Sequence, residues 1–253
     1  MDLVRLLRPA PTGHNREAFA ALVADKLRQT KTWEARLSQA GKNTDAEEKA
    51  ESKAEVWRDL IGLALDHREG GIGYMALMKN LRNILEQAPD AVDDACRLLE
   101  DGERARKSLV LPFRAATAYT ELQKTPGAER LLASLSRAVD NLLANVPRFS
   151  GRTAVIVDTS GSMKKQYNPE LEDSKLPDRI ASVFAATLYK ANDADLLLFG
   201  DRTQGFVADR ATPTLALAKQ IESASLGGTD FHVIFKALAD SGVAYDRLVI
   251  LTD

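Results

Sequence analysis

The sequence has few of the residues that carry redox or hydrolytic chemistry. It contains one cysteine and three histidines in 253 residues, and its aromatic content is 6%. The single Cys96 has no partner for a disulfide within the chain, and its apolar helical surroundings favour a small core residue over a nucleophile. The histidines lie apart from the motifs described below, and no catalytic triad or acid–base pair is visible. We therefore expect a protein that is not an enzyme.

Long hydrophobic runs and an excess of charge of one sign are also lacking. The first 13 residues have no uninterrupted apolar core of the kind found in a signal peptide, and no apolar run reaches about 18 residues. With the single cysteine, this predicts a soluble, cytoplasmic protein without a membrane partner. The 34 Lys and Arg nearly balance the 36 Asp and Glu, giving a formal net charge of −2. Bulk charge therefore gives no argument for nucleic acid.

Two hydropathy patterns divide the chain near residue 148. The hydropathy pattern over residues 15–145 predicts a series of short amphipathic helices. The first is predicted over residues 15–30, and a single helix is predicted over residues 73–88. The polar stretch 41–53 is predicted to be a surface loop leading into the next helix. Such a series is typical of helical bundles or stacked helical repeats. We assign residues 1–148 to a helical segment.

Residues 149–253 show alternating strands and helices instead. The apolar runs TAVIVD, ADLLLFGD and DRLVILTD are separated by helical patterns, which predicts a mostly parallel sheet buried on both faces. Each run ends in an aspartate, namely Asp158, Asp201 and Asp253. Ligands of open α/β sheets bind at the carboxyl ends of the strands. Three acidic side chains are thus expected at one edge of the sheet.

The first of these strand ends has the spacing of a cation site. Asp158, Ser160 and Ser162 alternate, so three side-chain oxygens can face inward together on a loop over the strand end. Mg²⁺ takes oxygen ligands in octahedral geometry and retains water, for which hydroxyl groups are suitable partners. The stretch LGGTDF adds the hydroxyl of Thr229 on a glycine-rich loop. Asp230 in the same stretch has two equally good interpretations: a residue that contacts the metal ligands from outside, or the N-cap of the next helix. The alternative is a Rossmann-like domain whose Ser and Asp residues only cap helices and turns.

The sequence resembles the metal-ion-dependent adhesion site of von Willebrand factor A domains, because it has three elements in the same order. They are the loop with Asp158, Ser160 and Ser162, the LGGTDF loop, and the strand that ends in LTD at Asp253. The resemblance implies that Asp158, Ser160 and Ser162 form the first ligand loop, that Thr229 belongs to the second, and that Asp253 belongs to the third. It also implies Mg²⁺ or another divalent cation as the cofactor.

The helical half of the sequence resembles a more specific family. The stretches WEARLSQAG, VWRDLIG, MALMKNLRNI and LPFRAATAY, ahead of VIVDTSGSM, resemble the TROVE module of the Ro autoantigen and its bacterial orthologues. The resemblance implies HEAT-like helical repeats followed by a von Willebrand factor A domain. It further implies a ribonucleoprotein scaffold that binds small non-coding, Y-like RNA and the ends of misfolded RNA, not DNA. Bacterial members work with the exoribonuclease polynucleotide phosphorylase.

Two departures from the family pattern lead to further expectations. About 130 residues precede the A domain after the N-terminal tail, so several of the family's repeats are expected to be absent, and closure of the helices into a ring is in question. The A domain is expected to be incomplete at its C-terminus, which would leave the last predicted strand with an open edge.

The residues that contact RNA are predicted from charge. Lys79 and Arg82 lie on the polar side of an otherwise apolar helix, and a second basic run lies between residues 104 and 114. The candidates are Lys79, Arg82, Arg104, Arg106, Lys107 and Arg114. The alternative for each is a solvated helix face. At the level of function, the alternative is a metal-dependent protein–protein adaptor that binds no RNA.

Overall fold

We describe the chain from a computed structural model, which covers residues 13, 16–23, 32–42 and 45–253. The helices of the N-terminal segment are α1 (Arg16–Val23), α2 (Trp33–Ala40), α3 (Ala46–Leu65), α4 (Tyr74–Lys79), α5 (Leu81–Gln87), α6 (Val92–Glu100), α7 (Gly102–Lys107), α8 (Pro112–Leu122) and α9 (Glu129–Asn141). Of the helix predicted over 15–30, residues 15 and 24–30 lie outside the described ranges, as do residues 1–12, 14, 31 and 43–44 of the predicted N-terminal segment.

A four-stranded sheet with three further helices follows. Its elements are β1 (Thr153–Asp158), α10 (Pro177–Asn192), β2 (Asp195–Phe199), β3 (Thr203–Phe206), α11 (Thr214–Glu222), α12 (Phe231–Asp240) and β4 (Arg247–Leu251). The strand order is β3-β2-β1-β4, with β1 parallel to both β2 and β4. The predicted fold class, helices followed by an α/β domain with a mostly parallel sheet, is confirmed.

The two faces of the sheet are covered by different helices. Because successive side chains of a strand point to opposite faces, Val155 and Val157 pack into the core shared with α10, α11 and the N-terminal helices. Ile156 points to the other face, where it packs with Phe199 and Ile234. Helix α12 therefore lies on the face of the sheet opposite to the helical segment.

Strand β3 is absent from the sequence prediction. It is short, it pairs antiparallel with β2, and Gln204 and Gly205 are exposed, so it has neither the apolar run nor the burial that marks the other strands. At the opposite edge, β4 pairs only with β1 among the described residues, as expected, and Leu248 is 40% exposed.

The loop predicted over residues 41–53 is wrong beyond residue 45. Helix α3 begins at Ala46, because the Asp45 carboxylate accepts hydrogen bonds from the backbone N–H groups of Glu47 (2.9 Å) and Glu48 (3.0 Å). Acidic side chains in the first turn also interact favourably with the helix dipole. The first two turns of α3 are polar because they are mostly exposed, not because they are unstructured.

The single helix predicted over residues 73–88 is also wrong, because the chain bends at Asn80 and forms two helices. Asn80 has φ −113° and ψ 9°, outside helical values. Its buried side chain donates a hydrogen bond to the carbonyl oxygen of Ala76 (2.8 Å) and accepts one from the side chain of Asn83 (3.0 Å). An asparagine side chain that bonds the backbone in this way competes with the helical hydrogen-bond ladder.

The helical segment is fixed to the α/β domain through the carboxylate of Asp140 at the end of α9. Its Oδ1 atom accepts hydrogen bonds from Lys190 Nζ (2.9 Å), from the backbone N–H of Thr214 (3.1 Å) and from the Thr214 hydroxyl (2.6 Å). Asp140 thus caps the N-terminus of α11, a helix of the other domain. The rings of Phe113 and Phe184 stack across the same junction, with centroids 5.2 Å apart.

Within the helical segment, the carboxylate of Glu100 at the end of α6 bonds to α9. We expect this contact to make a pH-dependent contribution to stability. Burial raises the pKa of Glu100, but hydrogen bonds from Arg130 (2.7 Å), Ser134 (2.6 Å) and Arg137 (2.7 Å) outweigh it and lower the pKa to about 2. A carboxyl group whose pKa is lowered by folding stabilises the fold at pH values above its pKa in the unfolded chain, about 4.5. This contribution is lost as the pH falls towards 2.

We therefore expect Glu100→Gln to reduce the free energy of unfolding by about 1.5 kcal/mol at pH 7, since the carboxylate is partly exposed. In urea unfolding experiments, the difference in the free energy of unfolding between this variant and the wild-type chain should shrink steadily below pH 4.5. A difference that stays constant down to pH 3 would show that the charge of Glu100 does not contribute.

Candidate functional site

The carboxyl end of β1 holds a buried carboxylate at the start of the predicted metal loop. Asp158 is 1% exposed. Its Oδ1 accepts a hydrogen bond from the backbone N–H of Ser160 (2.8 Å), and its Oδ2 accepts one from the hydroxyl of Thr252 (2.7 Å). The first bond shapes the loop after β1, and the second joins the end of β1 to the segment after β4. Sequence reasoning missed Thr252, although its position before Asp253 in the strand end LTD was a usable signal.

The predicted oxygen ligands continue outward from Asp158. The hydroxyls of Ser160 and Ser162 are 3.2 Å apart, and the Ser162 hydroxyl donates a hydrogen bond to Asp253 Oδ1 (3.2 Å). Adjacent oxygens around Mg²⁺ at about 2.1 Å are separated by about 3 Å. The donor set and its spacing therefore fit a small hard cation with little rearrangement. Ser160 is buried, whereas Ser162 and Asp253 are exposed, so such an ion would be accessible from solvent.

The glycine-rich loop meets the first loop through backbone contacts. Gly161 donates its N–H to the carbonyl oxygen of Gly227 (3.1 Å). Gly227 has φ +86°, and a Cβ there would lie 2.0 Å from Asp201 Oδ2, so only glycine fits. Thr229 is exposed, and within the described ranges its hydroxyl forms no hydrogen bond with the other predicted ligands. Asp230 caps α12 by accepting the N–H of His232 (2.8 Å), which is one of its two predicted roles.

A further set of contacts supports the loop from the side of α10. Lys164 Nζ lies 3.5 Å from the buried carboxylate of Asp178 and donates a hydrogen bond to the carbonyl oxygen of Glu222 (2.6 Å). The side chain of Asn168 donates to the carbonyl oxygen of Ser162 (2.6 Å). Sequence reasoning missed these supporting residues, because they have no pattern of their own.

Metal sites made of other residue types are absent from the described part of the chain. No group of three or more His, Cys, Asp or Glu side chains there could hold a metal ion. The cluster at the end of β1 has only two carboxylates, and hydroxyls make up the rest. This composition suits a hard cation such as Mg²⁺ rather than zinc.

Three of the predicted RNA contacts line one groove between α4, α5 and α8. Lys79, Arg82 and Arg114 surround a cavity of about 310 Å³ whose other walls include Met75 and Leu122. All three cations are exposed. Arg82 pairs with Glu86 (2.8 Å), and the Arg114 guanidinium lies 5.1 Å from the centre of the Phe113 ring. We call this cavity, with its three cations, the basic groove.

The other three predicted contacts differ in their surroundings. Arg104 is half-buried, and its guanidinium donates to the carbonyl oxygens of Ala64 (2.9 Å) and Ile72 (3.0 Å), so it joins α7 to the end of α3 and to the segment after it. Lys107 is exposed and pairs with Glu103 (2.6 Å). Arg106 is exposed. These residues do not line the basic groove.

The fold and these sites define a class of protein: stacked helices joined to an α/β domain that has a cluster of side-chain oxygens at the end of its first strand. A search of solved structures finds a similar fold in the Ro protein (RSR) of Deinococcus radiodurans, with a TM-score of 0.63 and 18% sequence identity. The match covers all of this chain and 56% of that one. The chain thus has the Ro-like fold that its sequence predicted, and it spans a little over half the length of the Deinococcus protein.

Other comparisons give no match. No family model matches the sequence, and no curated protein matches it. In the described ranges, no helix is both long enough and apolar enough to cross a membrane.

Proposed function

We propose that this chain is an RNA-binding scaffold that holds small non-coding, Y-like RNA and the ends of misfolded RNA in a ribonucleoprotein. The observation that carries the proposal is the basic groove, where three exposed cations that are up to 35 positions apart in sequence meet around an apolar floor. The Ro-like fold supports it, since the similar Deinococcus protein is a Ro protein.

The groove offers the phosphate contacts of single-strand recognition. The cationic side chains at its rim would neutralise phosphates, and its floor is apolar, with Met75 partly exposed and Met78 and Leu81 buried. The net charge of −2 is no obstacle, because binding depends on the local arrangement of charge.

Mg²⁺ or another divalent cation is proposed for the cluster at the end of β1. Asp158, Ser160, Ser162 and Asp253 would hold it directly or through water, with Thr229 on the adjoining loop. The ion would supply a Lewis-acidic contact for an acidic group of a partner. The role is adhesive, not catalytic, and the proposed location is the cytoplasm. An exoribonuclease such as polynucleotide phosphorylase is a proposed partner that follows from the family resemblance.

The test is RNA binding by a Lys79→Ala/Arg82→Ala variant of the full chain. We expect about tenfold weaker binding to a structured small RNA with single-stranded ends at low salt, since two phosphate contacts are lost. The matched control is Arg202→Ala/Lys236→Ala, which removes the same charge from the α/β domain. If both variants bind RNA as the wild-type chain does, the groove is not the binding site.

The second candidate function is a metal-dependent protein–protein adaptor. It is favoured by the solvent exposure of Ser162 and Asp253, which would leave a bound cation open to an acidic side chain of a partner protein. A chain that is folded and binds Mg²⁺ but binds no RNA at low salt would support this function instead.

A further inference from the structure

A small aromatic pocket lies between α8 and α10, at the junction of the two domains. The stacked rings of Phe113 and Phe184 form one wall, and their planes are inclined by 20°. Ile180, which is 44% exposed, lies one turn before Phe184 on α10 and lines the same cavity at the surface. The cavity has a volume of about 230 Å³. Few polar groups line it, among them Thr117 and Arg179.

The pocket adjoins the basic groove. Thr117 lines both cavities, and Arg114 of the groove places its guanidinium 5.1 Å from the centre of the Phe113 ring. A strand whose phosphate contacts Arg114 therefore has its next base within reach of the aromatic wall.

The charges around the pocket are compatible with a polyanion. Arg179 pairs with Glu222 (3.0 Å), and Asp173, which precedes the lining residue Ser174, pairs with Lys124 (3.6 Å), so these two carboxylates are neutralised. Glu121 adds one carboxylate to the lining of the basic groove, where the three cations remain in excess. The basic groove next to it carries Lys79, which has no ion pair within the described ranges. This arrangement favours a ligand whose negative charge lies in the groove and whose uncharged planar part enters the pocket.

We propose that the pocket takes an unpaired nucleobase of the RNA strand whose phosphates lie in the basic groove. The inference rests on the proposed function, which it extends by adding a base-binding site to the phosphate contacts. The base would lie against the Phe184 ring on the side away from Phe113, which stacks on its other face, and such stacking is favourable for any base and gives little sequence preference.

The test compares two strands of the same length on the full chain. One is an oligouridylate of about ten nucleotides, and the other has the same phosphates but abasic sugars. The variant Phe184→Leu removes the stacking ring while keeping an apolar side chain, and Phe235→Leu on α12, which is 53% exposed on the opposite face, is the matched control. Thermal melting checks that both variants fold.

We expect the wild-type chain to bind the oligouridylate about tenfold more tightly than the abasic strand, the gain typical of one stacked base. Phe184→Leu should reduce this gain to about twofold and leave the abasic strand unaffected, whereas Phe235→Leu should change neither. If Phe184→Leu melts early, Ile180→Gln at the exposed mouth of the pocket replaces it, with the same expected loss of the base-dependent gain.

Failure of this inference differs from failure of the proposed function. If Lys79→Ala/Arg82→Ala weakens binding but the pocket variants keep the full base-dependent gain, the pocket holds no base and the inference is wrong. If the wild-type chain binds neither strand at low salt, the proposed function is wrong and the inference falls with it. Tight binding of an aromatic peptide with no binding of RNA would also overturn it.

Discussion

Asp140→Ala is expected to lower the free energy of unfolding by about 3 kcal/mol. The substitution leaves the ammonium group of Lys190, whose side chain is only 12% exposed, with the carbonyl oxygen of Thr212 as its remaining partner (2.8 Å). It also removes the acceptor for the backbone N–H and hydroxyl of Thr214. Breaking a largely buried ion pair from one side typically costs 3–5 kcal/mol, and partial exposure of Asp140 places the loss at the lower end.

The control for this prediction is Asp140→Asn. The amide oxygen can still accept a hydrogen bond from Thr214, while the attraction to Lys190 and to the N-terminus of α11 is lost. We expect a loss of about 1 kcal/mol in urea unfolding. Equal and small losses for both substitutions would contradict the view that this carboxylate fixes the helical segment to the α/β domain.

Saturating Mg²⁺ is expected to raise the free energy of unfolding by about 2.7 kcal/mol when its concentration is 100 times the dissociation constant. For a chain of this size the melting temperature should rise by about 5–10 °C. The physical reason is that the ligand oxygens come from the loop after β1 and the segment after β4, which separate on unfolding. Melting curves at constant ionic strength, with Na⁺ in place of Mg²⁺, measure the effect.

Ser162→Ala/Asp253→Asn provides the variant for the Mg²⁺ measurement. Both side chains are exposed, so the fold should tolerate their replacement while two of the oxygen ligands are lost. We expect the stabilisation by Mg²⁺ to disappear. A rise in melting temperature equal to that of the wild-type chain would mean that Mg²⁺ acts elsewhere.

Much of the fold could be predicted because burial leaves a clear pattern in the sequence. Strands β1, β2 and β4 are short apolar runs, and the helical pattern between the first two of these runs contains helix α10. The two errors in the helices arose where a local polar contact decided the outcome, whereas β3 was missed because it is short and partly exposed. The Asp45 cap starts α3 inside a polar stretch, and the side chain of Asn80 divides α4 from α5, and neither changes the periodicity of the apolar residues.

The candidate sites were predictable to different degrees. The alternation of Asp158, Ser160 and Ser162 is local, and it places three oxygens on one loop whatever the rest of the chain does. The basic groove depends on the packing of α8 against α4 and α5, so the sequence could indicate exposed cations but not which of them meet. Arg104 shows what such a charge pattern cannot predict. Its basic neighbours in sequence do not indicate that its guanidinium donates hydrogen bonds to backbone carbonyl oxygens.

The central claim is that the basic groove binds the phosphates of single-stranded RNA. The most direct test is the affinity of the full chain for an unstructured RNA strand at several salt concentrations. Three phosphate contacts, from Lys79, Arg82 and Arg114, predict a slope of about −2 for the logarithm of the binding constant against the logarithm of the salt concentration. In Lys79→Ala/Arg82→Ala the slope should fall to about −0.7. A slope near zero in the wild-type chain, or the same slope in both proteins, would contradict the claim.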